Sequence, residues 1–227
     1  MTEPPRETSW SRQVFLRIKS HWLLTMLGTT GYIALFMVGY FWLLRHPMFP
    51  VTVIPLTSLD RLISFQPWSV GLYASLWLYI SLVPMLLYSL RELLFYLREV
   101  TFLSLSGFAI FFFWPTAIPK PDIDWAQYPS IEFLKSVDAS GNACPSLHVA
   151  FAVLTGIWLY RLLKQLGAPA ILRILNGCWC VGIIYSTLAT KQHVAIDMEM
   201  GVVLGLSVTI LHPLVLPRPR ILHGEHE

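Results

Sequence analysis

Residues 22–44 read WLLTMLGTTGYIALFMVGYFWLL, a run with no Asp, Glu, Lys, Arg or His in it. A hydrocarbon layer of roughly 30 Å takes about 20 residues of helix to cross, so this run sets lipid, and not water, as the solvent of the fold. Similar windows recur at residues 70–90, 95–113, 147–163, 170–188 and 201–216. The spacing predicts an all-α, polytopic membrane protein, a bundle of six transmembrane helices forming one domain over residues 1–227.

Composition agrees. Hydrophobic residues make up 55% of the 227 and charged residues only 13%, more apolar surface than a soluble core of this length needs to bury. The net charge of +3 is spread singly over short connections, with no basic stripe, which excludes a nucleic-acid module. The three cysteines do not make a disulfide framework. Cys178 and Cys180, two apart on an apolar helix, do not face each other.

Six spans place both ends of the chain on one side. Arg6, Arg12, Arg17, Lys19, Arg91, Arg98, Arg161, Lys164, Arg173, Arg218 and Arg220 fall on one face and Arg45, Arg61, Lys120, Lys135 and Lys191 on the other, and cytoplasmic connections gather such residues. Residues 1–21 and 217–227 are therefore expected in the cytoplasm. The N-terminal stretch lacks the pattern of a cleaved signal, so the first apolar run reads as a retained helix. A bacterial inner membrane is the expected location. The connections 46–69 and 114–146 fall on the opposite face and are too long to be simple turns.

The second of these leads into NACPSLHVA, residues 142–150. Pro145 and Ser146 suit the start of a helix, where free amides and the helix dipole receive anions, phosphate included. His148 follows in the first turn. Further on, YSTLATKQHVAIDMEMG at 185–201 places His193 and Asp197 four apart, a spacing that shares one helical face. Asp197 can then fix the imidazole tautomer, so that the other ring nitrogen presents its lone pair to an electrophile. Six alternating spans bring both histidines to the same face. Lys120, between prolines in WPTAIPKPDID at 114–124, and Lys191 are point charges suited to phosphate. Glu199 is a candidate contact for a head group. Asp122, Asp124 and the remaining histidines read as solvated or interfacial groups.

These residues resemble the type-two phosphatidic acid phosphatase superfamily of membrane lipid phosphatases and phosphotransferases. Lys120-Pro121 resembles the end of its first block, Pro145-Ser146-Leu147-His148 its second, and Ser186 with His193 and Asp197 its third. The chain departs from the pattern where Phe113 stands in place of a lysine, Lys120 and Thr187 in place of arginines, and Leu147 in place of a glycine. Leu147 and Thr187 resemble the branch that contains inositol phosphotransferases. The resemblance implies a lipid phosphate substrate drawn from the membrane, of phosphatidate or polyprenyl diphosphate type. It implies His193 as nucleophile, Asp197 orienting it and His148 as acid and base, with Lys120, Ser146, the Leu147 amide and Lys191 holding the phosphoryl oxygens. No metal or cofactor enters that chemistry.

Other readings use the same residues. Histidine and aspartate also ligate zinc, which gives a metal hydrolase; transfer of the phospho-head group to an alcohol gives a phosphotransferase; and a non-catalytic lipid transporter needs no nucleophile. A serine hydrolase on Ser146 lacks the nucleophile-elbow sequence.

Overall fold

The computed structural model describes residues 9–128 and 142–211. The expected tail 217–227, the first residues of the N-terminal segment and the end of the sixth span lie outside them.

Among the described residues, five helical stretches are long and apolar enough to cross a membrane. The first, α1 (Trp10–Arg45), starts at Ser9, whose Oγ accepts from Arg12 N at 3.4 Å. Its backbone breaks at His21 (φ −138°, ψ 24°), where Thr25 Oγ1 donates back to the His21 carbonyl at 3.0 Å, a bond that bends helices. The expected span begins at that break. The piece before it packs on the bundle: Arg17 is buried, donates to Leu86 O at 3.0 Å and faces Glu92 at 3.7 Å.

The second stretch runs from Pro67 to Leu86 through one turn of 3-10 helix, α3 (Val70–Ala74) and α4 (Leu76–Leu86), with the short α2 (Ser58–Leu62) before it. It stops short of the expected residue 90 where Leu87 turns extended and its amide donates to Pro84 O. Ser89 then caps α5 (Leu90–Phe113), accepting from Glu92 N at 3.2 Å, while Glu92 Oε2 accepts from Tyr88 N. The remaining helices are α6 (Leu147–Gln165), α7 (Ala170–Ala189) and α8 (Ala195–Leu211). The last begins six residues before the expected span, for a reason that lies in the site.

At the end of the bundle where α6 starts, the long connections are tied together. Two-residue strands β1 (Thr52–Val53) and β2 (Thr116–Ala117) pair in parallel, and Thr116 also bridges to Asn142. Thr116 Oγ1 accepts from Cys144 N at 2.7 Å, and Asn142 Nδ2 donates to Tyr40 O at 2.9 Å.

In lipid, apolar contact alone does not pull helices together, so close backbone approach and interhelical hydrogen bonds set their positions. Both occur here. Tyr79 on α4 donates to Asn176 Oδ1 at 2.7 Å, and Asn176 on α7 donates to Gly156 O of α6 at 2.9 Å. Trp158 Nε1 donates to buried Glu99 at 2.9 Å, and Tyr32 bonds Ser104 at 2.9 Å. A Cβ on Gly205 would lie 2.7 Å from the Ala150 carbonyl, so α8 lies on α6 backbone to backbone. That contact carries the third sequence block to the second.

Candidate active site

His193 is not on the helix with Asp197. It sits in the turn between α7 and α8, and Asp197 lies in the first turn of α8. The turn is set by Lys191, which takes a positive φ of 55°, and by Thr187 O, which accepts from both Gln192 N and His193 N at 3.1 Å. Asp197 is wholly buried. Its Oδ1 accepts from Val194 N at 2.6 Å and Met198 N at 3.2 Å, and its Oδ2 meets His193 Nδ1 at 2.7 Å. These bonds to the free amides start α8 at Ala195, ahead of the apolar run that marks it in the sequence. A carboxylate only accepts, so the proton of the imidazole lies on Nδ1 and the Nε2 lone pair is free to act.

Ser146 N donates to the Asp197 carbonyl at 2.9 Å, which joins the two histidine-bearing segments directly. Ser146 Oγ accepts from Val149 N at 3.3 Å as the cap of α6, and the first-turn amides of Leu147 and His148 have no acceptor inside the helix. His148 stacks on the ring of Tyr73, centroids 3.9 Å apart and planes at 14°, and shares a hydrogen bond with the Tyr73 backbone. Its Nε2 is buried without a partner among the described residues.

His148 and His193 line the same cavity, of about 920 Å³. Lys120 and Leu147 line it too. From that end the cavity runs down between α1 on one side and α4 and α5 on the other, along α1 from Phe41 back to Leu24, about 25 Å of helix. Its walls are apolar and aromatic, as Phe36, Trp77, Ile80 and Leu97 illustrate.

The other expected residues stand differently. Lys191 Nζ donates to the carbonyls of Asp60, at 2.9 Å, and Ile63, so it fastens α2 to the histidine turn. Burial pushes its ammonium below the ordinary range, with Asp60 opposing. Glu199 is exposed on α8 and outside the cavity lining. Thr187, where the resembled family has arginine, is buried with Oγ1 donating to Ile184 O at 2.7 Å. The Cys144 thiol is pushed up to about 11 by burial, with Asp197 adding to it, and stays protonated at neutral pH, unlike a nucleophilic cysteine. Among the described residues no group of three or more histidine, cysteine or acidic side chains could hold a metal.

Sequence reading missed Tyr73, Gln192, Asn142 and Asp60. The first three line the cavity, and Asp60 Oδ1 accepts from Ala195 N at 2.8 Å, holding α8 from outside. Tyr73 and Asp60 come from parts of the chain with no motif, and only the folded arrangement brings them in.

The sequence pattern of the PAP2 superfamily matches residues 100–220, more than half of the chain. Comparison with curated proteins gave no match, and comparison with solved structures gave none.

Proposed function

The chain belongs to the PAP2 superfamily, and on that premise we propose that it removes phosphate from a lipid phosphate through a phosphohistidine formed on His193. Membership makes it a phosphatase-type lipid phosphoesterase, and the apolar helices make it an integral membrane protein. The observation that carries the finer reading is the His193 Nδ1–Asp197 Oδ2 pair at 2.7 Å with His148 on the same cavity.

In this reading His193 Nε2 attacks phosphorus while the bond to the lipid oxygen breaks, and His148 gives its Nε2 proton to the departing alkoxide. Water then attacks the phosphohistidine, His148 takes a proton from it, and phosphate leaves with His193 restored. Proton transfer of this kind contributes about 10²- to 10⁴-fold. Lys120 and the first-turn amides of Leu147 and His148 hold the phosphoryl oxygens, helped by the positive end of α6. Ser146 starts that helix, and Lys191 keeps the histidine turn in place.

The apolar part of the cavity takes the lipid chain. The basic residues gathered at the far end of the bundle support a site on the non-cytoplasmic face, the periplasmic one if the membrane is a bacterial inner membrane.

The test is phosphate release by the purified protein from phosphatidate, a polyprenyl diphosphate and a lysophospholipid phosphate, with chelator present and new lipid products scored. His193→Ala is expected to abolish release. Normal turnover in that variant removes the phosphohistidine; activity that needs an added divalent ion makes the enzyme a metal hydrolase. A new phosphodiester in place of free phosphate makes the acceptor an alcohol.

A further inference from the structure

The cavity holds one donor that the mechanism above does not use. Gln192 is only 5% exposed, lines the cavity beside both histidines, and its Nε2 has no hydrogen-bond partner among the described residues. Its backbone is held beside the nucleophilic ring, because Gln192 N and His193 N both donate to Thr187 O. A buried donor left unpaired is unfavourable and rare in native proteins. Two other buried polar atoms of residues lining the cavity are also unpaired among the described residues, His148 Nε2 and the acceptor Asn142 Oδ1. Unsatisfied polar atoms gathered on one cavity point to a polar ligand that completes them.

The charge pattern identifies that ligand's contact with Gln192. Thr187 stands where the resembled family has an arginine, and its hydroxyl is turned into its own helix, so α7 supplies no cation at this place. We propose that the Gln192 carboxamide binds a phosphoryl oxygen through Nε2. The inference rests on the phosphohistidine reading. Hydrogen bonds that strengthen as charge moves onto the equatorial oxygens favour the transition state over bound substrate.

The test uses Gln192→Leu and Gln192→Met, which keep the volume and remove the donor. Turnover of a lipid phosphate is expected to fall between about tenfold and a hundredfold. Binding of orthovanadate, an analogue of the five-coordinate phosphorus, measured by calorimetry, is expected to weaken by the same factor. The free proteins should melt at the wild-type temperature or above it, because the substitution removes an unpaired buried donor. Unchanged turnover and vanadate binding overturn the proposal, and so does a lowered melting temperature or failure of both variants to fold, since Gln192 is then a structural residue. If wild type neither turns over lipid phosphate nor binds vanadate, the phosphohistidine reading falls and takes this inference with it. If wild type does both and the variants match it, only Gln192 is lost.

Discussion

The glycine face of α8 lies against the start of α6: a Cβ built on Gly201 would collide with the carbonyl oxygen of Ser146. The Ser146 amide donates to Asp197 O on the same interface, so the distance between the two helices also sets the distance between the histidines. Gly201→Ala is expected to push α8 away, lower stability by about 1–3 kcal/mol and reduce turnover more than tenfold. Gly177→Ala meets nothing within 4 Å and should leave turnover unchanged with stability equal or slightly raised. Melting temperature and initial rate of the two variants decide it; equal behaviour would separate the packing from the site.

Asp197 accepts two backbone amides through Oδ1 and the imidazole through Oδ2. In Asp197→Asn the carboxamide oxygen is held by those amides, so its NH2 faces His193 Nδ1. The ring must then accept at Nδ1 and carry its proton on Nε2, which removes the attacking lone pair. A kcat loss of roughly 10⁴-fold is expected, by comparison with the same substitution in a serine protease triad, with the fold retained. Single-turnover measurement of phosphohistidine formation checks it, and a loss below tenfold would show that the tautomer does not matter.

The spans were legible because lipid demands long apolar runs, and residues 22–44, 147–163 and 170–188 each fall inside a helix at those positions. The contact between His193 and Asp197 was legible as a spacing of four, but its cause was not. Four apart on a helix and four apart across a turn capped by the aspartate look identical in sequence, and only the positive φ of Lys191 and the amides caught by Asp197 select the second. In sequence Lys191 advertises only its charge, and the bonds it makes in the fold are hidden there. Its partners, the carbonyls of Asp60 and Ile63, belong to a short helix more than a hundred residues away. Tyr73 was hidden for the same reason, as an aromatic in an apolar span reads as packing.

Lys191 gains two carbonyl bonds while its backbone sits in the left-handed region. Lys191→Ala loses the bonds and keeps the strain. Lys191→Gly loses the bonds and relieves the strain, worth about 1–2 kcal/mol. The expected order of melting temperature is wild type, then glycine, then alanine. Alanine equal to wild type would mean that the ammonium does not fasten α2 to the histidine turn.

Gly28 lies on the cavity wall of α1, and a Cβ there meets nothing within 4 Å. It stands twelve residues below Tyr40, whose carbonyl binds the cavity residue Asn142, a separation of about 18 Å along the helix. Gly28→Phe therefore places a ring in the channel without moving backbone, and a helical glycine replaced by a larger residue gains stability if anything. Lipid phosphates with tails shorter than about 18 Å should react as in wild type. Longer tails meet the ring and cannot follow the channel past it; since a tail leaves lipid and not water when it binds, what is lost is packing in the channel and not a transfer term. Wild-type kcat/KM is expected to hold with chain length where that of the variant falls for tails that reach past the ring. Parallel curves for the two proteins would mean that the tail does not follow α1, and would move the lipid to another face of the bundle.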